Sequence, residues 1–228
     1  MAIPMAPIVL PAADDYNGGK FTMHHIVDTH VRGKALSVVY TNDPVSMESS
    51  IQTMEQFLAK DKYQVVGFDL DYTIGRAGHD HKVVVAQLFV RHDVLIYHYH
   101  LATRPCKHFS RFINSFDYNF ATVDTTNDLK TLKISGLKCL NLVNIQDHYK
   151  VWGSTKNKLN SLANLASDII DTYYMKMKDE SKKDKDTWNS VRHERLDEEH
   201  VKYAANDAYT SYEMYRRIID MRKCLHHA

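Results

Sequence analysis

The chain has 228 residues, 44% of them hydrophobic, which is enough to fill the core of one sizeable domain. Its 29 basic and 28 acidic residues leave a formal charge of +1, so attraction to a polyanion through bulk charge is excluded, and any such contact needs a local patch or bound metal. Cys106, Cys139 and Cys224 lie far apart with no CxxC pair, which excludes a disulfide framework and a zinc-ligand spacing and suggests incidental thiols in a reducing compartment.

Residues 1 to 19 begin apolar, but Pro4, Pro7 and Pro11 break the run and no basic residue precedes it; the segment reads as a flexible tail before a single domain over 20–228. No apolar stretch approaches the roughly 18 residues of a membrane-spanning helix. The expectation is a soluble intracellular protein with no membrane partner, the nucleus and the cytosol both remaining open. Two β-leaning runs, about 20 to 30 and 34 to 41, flank a turn at Arg32-Gly33, and Asp43-Pro44 stops the second. From Ser46 to about Ala59, Met47, Ile51, Met54, Phe57 and Leu58 recur at helical spacing.

Tyr63 to Thr73 is apolar almost throughout, as in a central strand covered on both sides. It nevertheless carries Asp69 and Asp71, which strand alternation puts on one face. Ionised carboxylates inside such a strand are costly unless paired or metal-bound. A polar turn from Gly75 to His81 leads into strands at Val83–Val90 and Val94–Leu101, joined at Arg91-His92-Asp93. Alternation puts His98 and His100 on one face of the latter; without a third ligand at a suggestive spacing, a half-exposed strand face is the better reading than a zinc site.

A short helix over about 105–115 and a strand from Asn119 to Asp124 precede Thr125-Thr126-Asn127-Asp128, a cap and helix start with Asp128 in the first turn, where free amide groups favour a negative charge. A short apolar run follows within Lys138 to Gln146. From Ser154 or Thr155 a longer helix is expected, with Leu159, Leu162, Ala166, Ile169 and Tyr173 as its buried stripe, and Lys176 to Asp186 reads as a solvated charged loop. Asp197 caps a last helix from Glu198 to about Lys223, on which Tyr203 and Asp207 lie one turn apart on the same face. Strands first, then alternating helix and strand, indicate an α/β fold: a mixed sheet with helices on both faces and polar residues at strand ends. Brought together there, Asp69, Asp71, Asp128, Asp207 and Tyr203 would suit hard cations and a positioned water.

Three of these stretches, Gly67-Phe68-Asp69-Leu70-Asp71-Tyr72-Thr73, Asn127-Asp128-Leu129 and Tyr203-Ala204-Ala205-Asn206-Asp207-Ala208-Tyr209, resemble the motifs of the DEDD superfamily of 3′-5′ exonucleases. The likeness is to its tyrosine-bearing branch (DEDDy), nearest the Werner-type exonuclease domain, and runs from about Ala35 to Ile219. It implies a ribonuclease-H-like fold, two magnesium or manganese ions, and stepwise removal of nucleotides from a DNA or RNA 3′ end. By that resemblance Asp69, Asp71 and Asp207 would hold the metal on the nucleophile side, Asp69 would bridge to the second ion, Asp128 would act there partly through water, and Tyr203 would orient the attacking water.

One position departs from the family pattern, which reads Asp-x-Glu where this chain has Asp69-Leu70-Asp71. A carboxylate one methylene shorter strains the near-octahedral demand of magnesium more than that of the larger manganese ion, so reduced or manganese-favouring activity is expected. Lys150, Lys156 and Lys158 around Trp152 are candidates for tracking a phosphate backbone while the indole stacks on a base, although a solvated loop and helix start account for them more simply. The rival to an exonuclease is a nucleic-acid- or protein-binding module that keeps the fold with a weakened site. Neither the choice between DNA and RNA nor a homo-oligomer or protein partner is specified by any residue.

Overall fold

The computed structural model describes residues 19–29, 34–73, 82–149, 161–174 and 194–225. Seven strands form one mixed sheet: β1 (Thr22–Asp28), β2 (Ala35–Thr41), β3 (Val65–Tyr72), β4 (Val83–Val90), β5 (Asp93–Tyr97), β6 (Asn119–Thr122) and β7 (Leu142–Asn144), in the spatial order β1-β2-β5-β4-β3-β6-β7. The β1–β2, β4–β5 and β3–β4 pairs are antiparallel, whereas β2–β5, β3–β6 and β6–β7 are parallel. The described helices are α1 (Pro44–Leu58), α2 (Lys107–Ile113), α3 (Thr125–Ile134), α4 (Ile145–His148), α5 (Leu162–Ile169) and α6 (Glu198–Leu225). This is the expected α/β, ribonuclease-H-like mixed sheet, with β3 an interior strand between β4 and β6.

Because β3 is covered on both sides, its residues alternate between two cores. Val66, Phe68 and Leu70 pack with Met47, Ile51 and Met54 of α1 and with Phe109, Phe112 and Ile113 of α2. Val65 joins Val85 and Phe89 of β4 beneath Ala204, Ala205, Ala208, Tyr209 and Tyr212 of α6. Asp43 caps α1 by accepting from the Val45 amide, and Pro44 occupies the first turn, where its missing N–H costs nothing. The dipeptide expected to stop β2 therefore also starts α1.

The approach of α6 to β3 is set by Gly67. A methyl group there would lie 2.0 Å from the Ala208 carbonyl oxygen and 2.9 Å from Tyr212 Cβ, so only hydrogen lets helix and strand backbones come this close. Tyr40 fixes the entry to α6: its hydroxyl accepts from the Leu196 amide at 2.9 Å and meets His98 Nδ1 at 2.8 Å. Asp197 accepts from the His200 amide at 2.8 Å, the expected N-terminal cap. Further along, Tyr63 donates to Asp220 at 2.5 Å, and Arg217 both pairs with Glu213 and donates to the Ile169 carbonyl at the end of α5.

Three expectations need correction. β5 ends at Tyr97, and the chain turns into a short 3-10 segment, Tyr99–Leu101, because Asn42 draws in the Leu101 carbonyl while Tyr40 takes His98. His98 is thus fully buried, and His98 and His100 share no strand face. The described part of α5 ends at Ile169; its buried residues are Leu165 and Ala166, and Tyr173 is 38% exposed instead of completing a stripe. Finally, α2 is shorter than expected, beginning after Cys106, whose sulfur accepts from the Phe109 amide. All three cysteines are free, with Cys106 and Cys139 buried and Cys224 exposed. No described helix is long and apolar enough to cross a membrane.

Candidate active site

β3 and β6 run parallel, so their C-terminal ends open on the same edge of the sheet, the usual place for a site in an α/β fold. Asp69 and Asp71 lie at the end of β3 on the same face as Gly67, towards α6. From β6 the chain passes through Asp124, held at φ 67°, into α3, whose first turn carries Asp128. Asp124 accepts from the Asn127 side chain at 2.5 Å, one of the local bonds that lets an aspartate occupy the left-handed region. From above, α6 lowers Asp207, which is 8% exposed, while Tyr203 remains 38% exposed one turn earlier.

The four carboxylates feel one another. Burial raises Asp69 to about 6, against the opposing hydrogen bond of the Leu70 amide. Asp128, 4% exposed, is pushed up to about 8 by burial and then by the Asp69 charge, although the Thr122 hydroxyl donates to it at 2.9 Å. Asp71 is raised well above the carboxylate range by burial, then by Asp69 and Asp207, while a hydrogen bond from Gln87 opposes this. Asp207 is raised by burial and by Asp69, and lowered by a hydrogen bond from Tyr203. Tyr203 in turn is raised, first by the Asp207 charge and then by burial, and stays a neutral phenol. Residues from β3, α3 and α6 that are distant in the chain therefore share one electrostatic site.

Among the described residues no three acid, histidine or cysteine side chains form a ready-made coordination cage. Each of three acids is instead taken up by a neighbouring donor: Asp71 by Gln87, Asp128 by Thr122 and Asp207 by Tyr203. The donor set is all oxygen and suits hard cations such as magnesium or manganese. Gln87 adds an orphaned buried acceptor, since its Oε1 has no hydrogen-bond partner among the described residues.

Gln87 and Thr122 are the site neighbours that sequence reasoning missed. Gln87 is fully buried and is the single polar residue in Val83–Val90, a signal visible in the strand itself. Thr122 gives no such signal, because only the turn into α3 brings its hydroxyl to Asp128. Lys150, Trp152, Lys156 and Lys158 lie outside the described residues.

Residues 44–222 match the sequence profile of the 3′-5′ exonuclease family. The chain belongs to that family. Membership puts this exonuclease domain in the DEDD superfamily, in agreement with its fold. No curated protein sequence matches it significantly. The Nibbler EXO domain of Aedes aegypti is similar at 15% identity and TM-score 0.56, over 82% of this chain and 88% of that one. The catalytic core of RRP6 from Trypanosoma brucei aligns at 17% identity and TM-score 0.60, over 82% of this chain but 49% of that one. RNase D of Trypanosoma brucei, in complex with RNA U12, aligns at 11% identity and TM-score 0.54, over 77% of this chain and 66% of that one. The exonuclease domain thus shares their fold while spanning about half of the RRP6 core.

Proposed function

We propose that this domain is a metal-dependent 3′-5′ exonuclease of the tyrosine-bearing, Werner-like branch, which releases nucleotides one at a time from a nucleic-acid 3′ end. The observation that carries the proposal is the gathering of four buried carboxylates, Asp69, Asp71, Asp128 and Asp207, with the charge of Asp69 felt by the other three, beside a neutral Tyr203 at the C-terminal edge of β3 and β6. Buried acids that raise one another's pKa need a positive counter-charge before all can ionise. Two divalent cations, Mg2+ or Mn2+, held by these four residues would supply that charge, lower the pKa of a bound water and stabilise the attacking and leaving oxygens.

The protein's own part follows from its side chains. Asp69 and Asp71, on one face of a rigid central strand, fix one side of the site, and Asp207 closes it from α6. Asp128 faces them from α3, held in orientation by Thr122. Tyr203 keeps its proton, so it orients a water by hydrogen bonding and does not serve as the base. The water oxygen bonds to phosphorus as the P–O3′ bond breaks, O3′ takes up a proton, and a nucleoside 5′-monophosphate leaves. RNA is one candidate substrate, as in the trypanosomal RNase D complex; DNA is the other. Lys150, Lys156 and Lys158, with Trp152, are proposed to track the strand behind its 3′ end.

A weakened binding module is the second reading, favoured by the shortened Asp71 and by the lack of a ready-made cage among the described residues. A degradation assay on 5′-labelled single-stranded and 3′-recessed DNA and RNA separates the two. Stepwise ladders that need Mg2+ or Mn2+, vanish with chelator and fall on the order of 100-fold or more in Asp69→Ala and Asp207→Ala are the expected result. Binding of the same strands with no metal-dependent shortening would establish the module instead.

A further inference from the structure

Strand β4 reads Val-Val-Val-Ala-Gln-Leu-Phe-Val and is buried at every position. An amide inside such a strand is costly unless hydrogen-bonded, so Gln87 needs a structural or functional reason. Core packing does not supply one, because Leu or Met would fill similar space without a polar group. The register gives the reason. Gln87 stands directly opposite Asp69 in the antiparallel β3–β4 pair, on the face that looks towards α6. From there its Nε2 donates to Oδ2 of Asp71, two residues along β3. Beyond Asp71 the β3–β4 register shifts by one residue, a bulge of the kind that re-aims a neighbouring side chain.

We infer that Gln87 is a positioning residue: its amide holds Oδ2 of the shortened acid Asp71 and so presents the other oxygen, Oδ1, to a divalent cation. The inference rests on the exonuclease reading of the site. A short carboxylate has less reach with which to find its ion, and a donor that fixes its rotamer removes the entropy that a free side chain would lose on binding. Gln87 suits the task because it comes from a rigid central strand and cannot ionise. Its own Oε1 is buried without a hydrogen-bond partner among the described residues, so the amide is committed on its donor side to Asp71.

The test is the Mn2+ dissociation constant of the full chain, measured by calorimetry without substrate, for wild type, Gln87→Met, Asp71→Ala, the double variant and Asp69→Ala, with circular dichroism as the check on folding. Loss of the outer hydrogen-bond partner of a metal ligand weakens affinity by roughly 10- to 100-fold, and that is the expected effect of Gln87→Met in the wild-type background. In the Asp71→Ala background the same substitution is expected to change affinity no further, because its partner is already gone. Wild-type affinity in Gln87→Met, or an equal loss in both backgrounds, would overturn the inference while leaving the exonuclease reading in place. Absence of Mn2+ binding, or binding indifferent to Asp69→Ala, would overturn that reading and this inference with it. If Gln87→Met does not fold, Gln87→Asn retains the amide but withdraws it by one methylene, and is expected to weaken Mn2+ by at least about tenfold, with unchanged affinity counting against the inference.

Discussion

At the scale of single residues, the site is a set of acids placed where they cannot comfortably be charged. In the metal-free protein Asp69 at about 6 and Asp128 at about 8 hold protons that the unfolded chain releases near pH 4. These two groups then hold more protons in the folded state than in the unfolded state, so their contribution to stability falls as pH rises from about 4 towards 8. Thermal midpoints measured in chelator across that range are expected to decline, and Asp128→Asn is expected to flatten the upper part of the decline. A midpoint that rises over the same interval would contradict the raised values. Asp71 makes a separate prediction. Restoring the missing methylene with Asp71→Glu is expected to raise the rate in Mg2+ and narrow the preference for Mn2+, whereas equal rates for both proteins in both metals would show that side-chain length is immaterial.

At the scale of elements, the contact between β3 and α6 assembles the site, since it brings Asp207 to Asp69. Gly67→Ala would drive a methyl into the Ala208 carbonyl, one residue from Asp207. Overpacking of this kind costs about 1 to 3 kcal/mol, and more where backbone must move. The variant is expected to lose stability by about that amount in urea titration, and to lose activity beyond its unfolded fraction because α6 is displaced; wild-type stability would mean that strand and helix separate freely. Much of this level was legible in the chain. β3 and β4 announce themselves by apolar runs interrupted only by Asp69 and Asp71 in one and Gln87 in the other, α1 by its 3.6-residue stripe, and the start of α6 by the cap at Asp197. What local pattern could not supply was tertiary: Asn42 and Tyr40 bending the chain after Tyr97, and the early end of α5, whose terminal carbonyls Arg217 takes up.

At the scale of the whole molecule, a mixed sheet gathers the C-terminal ends of β3 and β6 at one edge, and helices from both flanks deliver acids to it. The acids themselves could be picked out in the chain because carboxylates in an apolar strand, and a tyrosine one helical turn from an aspartate, are conspicuous. Their partners could not, with the exception of Gln87, because a hydroxyl such as Thr122 acquires its role only from the turn that follows it. The near-neutral chain offers a nucleic acid little bulk attraction, so substrate affinity should depend on this edge and on the ions it holds. The most direct measurement is a crystal of the wild-type chain soaked in Mn2+, with anomalous scattering used to locate the ions. Two peaks about 3.5 to 4 Å apart, bounded by Asp69, Asp71, Asp128 and Asp207, are the expected result. Well-ordered carboxylates with no peak among them, or manganese bound only elsewhere, would contradict it.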